Sequence, residues 1–203
     1  MQIRKKKRGQ LIVLSGPSGV GKSTVIAELL SQRRDIYFSV SFTTRRPRTG
    51  EADGVNYNFV DRMEFERMIT DGELLEHAEY VGNYYGTSLK IIQEKLEAGI
   101  DVLLDIEVRG AAEVHEKCPE AVLIFIIPPS FEELSRRLHR RNTDSEDVIA
   151  GRLRKAREEY RQIPGYDYLV VNDKVSEAAL EIISILCAED CRTKNRIHLV
   201  DGI

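Results

Sequence analysis

Apolar residues follow two alternating patterns along this chain. Five short runs are almost wholly apolar, at residues 11–15, 37–41, 102–105, 122–127 and 168–171. Runs of that length, rich in β-branched residues and bounded by turn residues, predict strands buried on both faces. Helical spacing predicts a helix from Lys22, with apolar residues at 25, 26, 29 and 30, and others from Asp61, Ser88, Ser130, Ser145 and Ser176. Asp61 precedes Glu64, and Ser130 precedes Glu133, at the spacing of a capping box. Strands that alternate with helices predict a mostly parallel sheet with helices on both faces. Two stretches break the alternation. Residues 43–96 carry short strand patterns, and residues 138–157 are dense in arginine.

The first predicted strand runs directly into G-P-S-G-V-G-K-S, residues 16–23, and the first predicted helix follows. A strand, this glycine-rich turn and a helix form a phosphate loop. Gly16, Pro17, Ser18, Gly19, Val20, Gly21 and Thr24 present backbone around a polyphosphate, and the helix N-terminus adds its partial positive charge. Lys22 can reach the β- and γ-phosphates, and Ser23 can ligate Mg²⁺. The motif implies a nucleoside triphosphate without saying what is done with it.

Residues 43–60 read T-T-R-R-P-R-T-G-E-A-D-G-V-N-Y-N-F-V. Pro47 excludes a regular helix, so Arg45 and Arg48 can converge on one anion. Arginine suits that task because its planar fork matches phosphate oxygens bidentately and keeps its charge. The Tyr57 hydroxyl can donate to the same phosphate. Taken alone, R-R-P-R also fits a solvated basic loop. Asp105 ends a strand at the carboxyl edge of the predicted sheet, where ligands bind in open α/β folds. Taken alone, Glu76 reads as a solvated helix residue and Tyr84–Tyr85 as a half-buried pair.

The pattern T-T-R-x-x-R-x-x-E-x-x-G-x-x-Y-x-F-V, about twenty residues beyond the phosphate loop, resembles the guanylate kinase signature. The resemblance continues through E-H-A-E-Y-V-G-N-Y-Y-G-T at 76–87 and V-L-L-D-I-E-V-R-G at 102–110, and it covers residues 10–187. It implies a P-loop NTPase core of parallel sheet with helices on both faces (9–42, 97–137 and 158–188). A mixed α/β insertion that binds the nucleoside monophosphate (43–96) and an arginine-rich helical lid (138–157) complete the domain at 9–188. Tails at 1–8 and 189–203 flank it. By the same resemblance Glu76 accepts the N1–H and N2–H of guanine. Ser41, Thr87 and Asp105 support the base, Tyr85 contacts the monophosphate, and Arg137, Arg141 and Arg152 are lid arginines. Asn172-Asp173 lies near the adenine. The chain departs from the pattern at Glu107 for an aspartate, Arg109 for a glutamine and Asn142 for a glycine. A shifted contact or a water lets Glu107 serve the aspartate's role. Arg136, Arg140, Arg154 and Arg157 read as an exposed, charge-patterned face.

Composition narrows the setting. The chain has 203 residues, 42% of them hydrophobic and 31% charged, with a net charge of −3, as a soluble globular domain with insertions has. The net charge argues against a nucleic-acid protein, so the basic run Arg4–Arg8 reads as a solvated tail. No apolar run approaches the about 18 residues of a membrane span, and the charged start lacks the apolar core of a secretory leader. Three cysteines, Cys118, Cys187 and Cys191, without metal-ligand spacing, predict reduced thiols and a cytoplasmic location.

The resemblance therefore implies phosphoryl transfer from ATP to GMP, giving ADP and GDP and extending to dGMP, with Mg²⁺ carried by ATP. No nucleic-acid or membrane partner is expected, and oligomeric state is left open. Two alternatives stand beside this: a non-catalytic guanylate-kinase-like binding module, and a kinase of the same fold with another phosphorylated acceptor.

Overall fold

The computed structural model describes residues 8–80, 82–140 and 145–200. Chain order is β1 (Leu11–Ser15), α1 (Lys22–Gln32), β2 (Ile36–Phe38), β3 (Phe42–Thr43), β4 (Asn58–Phe59), α2 (Arg62–Thr70), β5 (Leu74–Tyr80) and β6 (Asn83–Ser88). Then come α3 (Leu89–Glu97), β7 (Asp101–Asp105), α4 (Val108–Lys117), β8 (Val122–Ile127), α5 (Phe131–Arg140), α6 (Glu146–Tyr160), β9 (Tyr168–Val171), α7 (Val175–Asp190) and α8 (Thr193–Arg196).

The core is a 5-stranded sheet in the order β2-β7-β1-β8-β9, with every neighbouring pair parallel. β1 is central and buried on both sides, which explains its unbroken apolar run. Its alternate residues serve opposite faces. Ile12 and Leu14 pack with Val25 and Leu29 of α1 and with Ile182 and Leu186 of α7. Leu11 and Val13 pack with Ile92 and Leu96 of α3 and with Ala111 and Val114 of α4.

The insertion forms a second, 4-stranded sheet in the order β4-β3-β6-β5, with β5 at one edge. β3 pairs antiparallel with β6, as β6 does with β5. It has its own core of Phe65, Met68 and Leu74, with Tyr84 stacked on Phe65 at 5.3 Å between ring centroids. The arginine-dense stretch forms the helix pair α5–α6, closed by Leu134, Leu138, Ile149 and Ala156. Arg136, Arg140, Arg154 and Arg157 are exposed.

At the two expected capping boxes the first residue caps its helix, whereas the starts expected at Ser145 and Ser176 carry no side-chain cap, the latter helix beginning at Val175. Glu64 N donates to Asp61 Oδ1 at 2.8 Å, and Glu133 N donates to Ser130 Oγ at 3.1 Å. Three expectations need correction. The strand expected at 37–41 ends at Phe38, because Ser39 N makes the last bond to the core sheet, at 3.0 Å to the Leu103 carbonyl. Beyond it the chain crosses to the second sheet. Helix α4 was not expected, since its buried face consists of small residues, Gly110 and Ala111, before Val114. Glu76, which alone reads as a solvated helix residue, lies on β5 and is only 4% exposed. Among the described residues no helix is long and apolar enough to cross a membrane.

The sheet that carries the phosphate loop depends on its central strands. Ile124→Ala, at a fully buried position of β8, is expected to cost about 2–5 kcal/mol in chemical denaturation. Leu180→Ala on α7, an exposed apolar position, should stay within about 0.5 kcal/mol of the parent.

Candidate active site

β1 ends at Ser15, and the phosphate loop turns from it into the N-terminus of α1. Gly21, at φ 91°, is the residue before that helix, and a Cβ there would stand 2.7 Å from Asn172 Nδ2. Gly19, at φ 92°, lies under α5, where a Cβ would meet Leu138 Cδ2 at 2.7 Å. Both positions thus combine left-handed backbone with close packing, which only glycine tolerates.

The loop lines a cleft of about 350 Å³ together with Asp105, Glu107, Arg152, Lys155 and Glu159. Lys22 Nζ sits 2.7 Å from Asp105 Oδ1, with the two side chains 17% and 30% exposed. Register explains the pairing: β1 and β7 are neighbours, with Leu14 opposite Asp105. α6 lies across the cleft mouth, where Arg152 Nη1 donates to Ser18 Oγ at 2.9 Å and Lys155 Nζ donates to Glu107 Oε2 at 2.9 Å. Glu107 is the residue before α4, and its carboxylate makes no cap bond there. Burial raises the Glu159 carboxyl above its ordinary value, and one of its oxygens has no hydrogen-bond partner among the described residues.

Arg137, expected among the lid arginines, stands on α5 beside the phosphate loop. Its Nη1 donates to the Val20 carbonyl and its Nη2 to the Asn172 carbonyl, both at 3.0 Å, while Nε donates to Glu133 at 2.6 Å. Asn172 Nδ2 donates to the same Val20 carbonyl at 2.8 Å. Arg137 and Asn172 therefore brace the outside of the loop, because α5 runs beside it and two backbone carbonyls capture the guanidinium. Asn172 is buried, with its Oδ1 unpartnered among the described residues, and Asp173 is exposed beside it. Arg141 and Asn142 lie outside the described residues.

On the insertion, Arg45 forms a bidentate pair with Glu51 at 2.9 Å for both bonds. Glu51 Oε2 also accepts the Arg48 backbone N–H at 2.8 Å. Neighbouring Arg45 holds the Glu51 carboxyl below its ordinary range. The Arg45 guanidinium stands 5.3 Å from the Tyr57 ring centroid, and Tyr57 meets Tyr85 edge-on at 5.9 Å. Burial raises the Tyr57 phenol, and neighbouring Tyr85 raises it further. Arg48 is exposed, and Ser41 sits half-buried where the chain enters the second sheet.

Glu76 and Thr87 are opposite residues of β5 and β6, and Thr87 Oγ1 donates to Glu76 Oε1 at 2.6 Å. Burial pushes the Glu76 carboxyl up to about 7, against the hydrogen bond from Thr87, which lowers it. Arg109, where the resemblance expects glutamine, is exposed, with Glu113 Oε1 at 3.7 Å from its Nε.

Sequence reasoning assigned no role to Glu51, Lys155 or Glu159. Glu51 stands inside the quoted pattern. Arg152, Lys155 and Glu159 fall on one face of α6 at spacings of three and four, and that spacing was the available signal.

The guanylate kinase family model matches residues 8–189. A guanylate kinase of Desulfitobacterium hafniense is 48% identical over 198 residues, covering 98% of this chain and 99% of that one. A guanylate kinase of Lactococcus lactis is 51% identical over 202 residues, with 98% of both chains covered. The crystal structure of guanylate kinase from Anaplasma phagocytophilum superposes with a TM-score of 0.77 at 41% identity, over 94% of this chain and 90% of that one. The chain belongs to the guanylate kinase family.

Proposed function

We propose that this cleft transfers the γ-phosphoryl group of ATP to GMP, giving ADP and GDP, with dGMP as a further acceptor. The carrying observation is the phosphate loop itself, whose glycine-rich turn lines the cleft with Lys22 held 2.7 Å from Asp105 at the carboxyl edge of the sheet.

The donor half is assigned to residues 16–24, with Asn172 and Asp173 beside the adenine. Backbone N–H groups of the loop and the α1 N-terminus hold the phosphates. Lys22 exchanges Asp105 for phosphate oxygen. Arg152 lies over the loop at Ser18 and completes the positive surround, and Arg141 is assigned the same role on the resemblance alone. Arg137 keeps the loop in shape from outside.

Among the described residues no group of three acidic, histidine or cysteine side chains could hold a metal. The available donors are oxygens, foremost the Ser23 hydroxyl at the first turn of α1. That set fits Mg²⁺ bound mainly by substrate phosphates, with Ser23 as its protein ligand. When bound, the ion neutralises phosphate charge.

The acceptor half is assigned to Arg45, Arg48, Tyr57 and Tyr85 for the GMP phosphate, and to Glu76, Thr87, Ser41 and Asp105 for guanine, with Glu107 in support. Guanine offers N1–H and N2–H₂ as adjacent donors, and an ionised Glu76 accepts from both. The GMP phosphate has its second pKa near about 6, so it reaches the site mostly as a dianion. No general base is then required. The protein's contribution is in-line alignment and a fixed positive surround in a cleft that excludes water. A binding module without catalysis has no use for a complete phosphate loop with Lys22 in place. We place the enzyme in the cytoplasm, as its free thiols at Cys118, Cys187 and Cys191 suit a reducing compartment.

Lys22→Ala should leave the fold intact and abolish transfer. Near-normal ADP formation by the folded variant would refute the donor assignment. Arg45→Ala and Arg48→Ala should each raise KM for GMP far more than KM for ATP, since each loses a charge-assisted contact worth about 1.5–3 kcal/mol. A loss confined to ATP would reverse the two halves.

Base selection makes a pH-dependent prediction. The carboxyl of Glu76 lies near 7 when free, and guanine needs it ionised. The preference for GMP over IMP, which lacks N2–H₂, should therefore be full above pH 7 and shrink as pH falls through 7. The phosphate titration is common to both substrates and cancels in the ratio. Glu76→Gln should lower kcat/KM for GMP about tenfold to a thousandfold and flatten the pH dependence of the ratio. A steep ratio in Glu76→Gln would assign the titration elsewhere.

A further inference from the structure

Glu76 stands on an edge strand, and an edge strand has backbone groups that face away from its sheet without ladder partners. In β5 the Leu75 carbonyl and the His77 N–H are two of these, one on each side of Glu76. Both are captured by α4. Lys117 Nζ donates to the Leu75 carbonyl, and His77 N donates to Glu113 Oε2 at 3.4 Å. Between these contacts the Glu76 side chain lies over Gly110. A Cβ at Gly110 would stand 2.6 Å from Glu76 Oε2, 3.3 Å from its Cδ and 3.6 Å from its Cγ.

Positions 110, 113 and 117 are three and four residues apart and so share one face of α4. The helix is fixed by the core, with Ala111 and Val114 fully buried beneath the main sheet. A glycine inside a helix weakens it, and Gly110 does not adopt positive φ. Local backbone geometry therefore does not require glycine there. The space above it does.

We propose that Gly110, Glu113 and Lys117 are positioning residues for guanine selection: through them a core helix fixes where the Glu76 carboxylate stands. Gly110 supplies the room that the carboxylate occupies, and the two charged residues hold the strand on either side of it. This rests on the reading that Glu76 accepts the guanine donors. The groups that bear on the Glu76 carboxylate are the Thr87 hydroxyl from β6 and Glu113 and Lys117 from α4. Glu113 disfavours its ionised form, and Lys117 favours it.

The test measures kcat/KM for GMP and IMP, KM for ATP and the melting temperature in Gly110→Ala. Alanine favours the helix, so the melting temperature should hold or rise. The displaced carboxylate should lower kcat/KM for GMP about tenfold to a hundredfold, mainly through KM, and shrink the preference over IMP, with KM for ATP within about twofold. Glu76→Asp alone should also lose GMP use. Because the shorter acid vacates the space, Gly110→Ala combined with Glu76→Asp should lose less than the two single losses multiplied together. Lys117→Met keeps the apolar stem and removes the cation, so the acid limb of the GMP-over-IMP preference should move to higher pH. That shift decides the matter if Gly110→Ala does not accumulate as folded protein. An unchanged preference in folded Gly110→Ala, or an unmoved limb in Lys117→Met, would overturn the proposal where Glu76→Gln has lost its preference. An intact preference in Glu76→Gln would instead overturn the reading of Glu76 itself.

Discussion

A site for two phosphorylated nucleotides must gather positive charge in a small volume before either substrate arrives, and like charges repel. This constraint shapes the whole cleft. Four cations at or beside the cleft rest on polar partners: Lys22 on Asp105, Arg45 on Glu51, Lys155 on Glu107 and Arg152 on Ser18. The three carboxylate pairs are partly exposed, and exposed ion pairs contribute only about 0–1 kcal/mol. They keep side chains aimed at the cleft, yet phosphate oxygens can displace them at little cost. The exception is Arg137, whose guanidinium is committed to two backbone carbonyls of neighbouring segments. It behaves as part of the scaffold.

The scaffold beneath these pairs is the central strand. β1 has no exposed face, so its position is fixed by packing from both sides, and the phosphate loop inherits that fixity at Ser15. The loop is then braced from three directions. Gly19 lies against Leu138 of α5, Val20 is held through its carbonyl by Arg137 and Asn172, and Ser18 is met by Arg152 of α6. The backbone N–H groups that would face a phosphate are positioned in advance, so little reorganisation remains for the reaction itself.

The acceptor half is built differently. Its sheet is small and has its own core, and β5 joins the main body through Leu75, which packs with Ile92 and Leu96 of α3 and Ala111 of α4. Burying the Glu76 carboxyl disfavours its charge, which is why it titrates near 7. A buried acceptor left unpaired is costly, so a ligand that offers matching donors gains and one that does not is rejected. On the proposed assignment of guanine to Glu76, selectivity comes from the same burial that raises the carboxyl.

The sequence by itself determined what is encoded locally. The loop at 16–23 was legible because its glycines, lysine and serine act through contiguous backbone, flanked by a strand and a helix whose periods are plain. Arg45 and Arg48 stood out because Pro47 excludes a helix between them, but R-R-P-R alone equally fits a solvated basic loop, so the expectation that they and Tyr57 meet a phosphate came from the longer family pattern. Burial on both faces wrote the core strands into the chain as unbroken apolar runs. Tertiary structure alone decided the rest. It turned Glu76 from a surface residue into a buried one by setting Thr87 opposite and Gly110 beneath. It joined Arg137 to the loop by bringing Val20 and Asn172 together, and it set α4 against β5, where Glu113 and Lys117 meet the strand. Each of these outcomes depends on contacts between segments distant in the chain, and such contacts arise from packing, which no local spacing records.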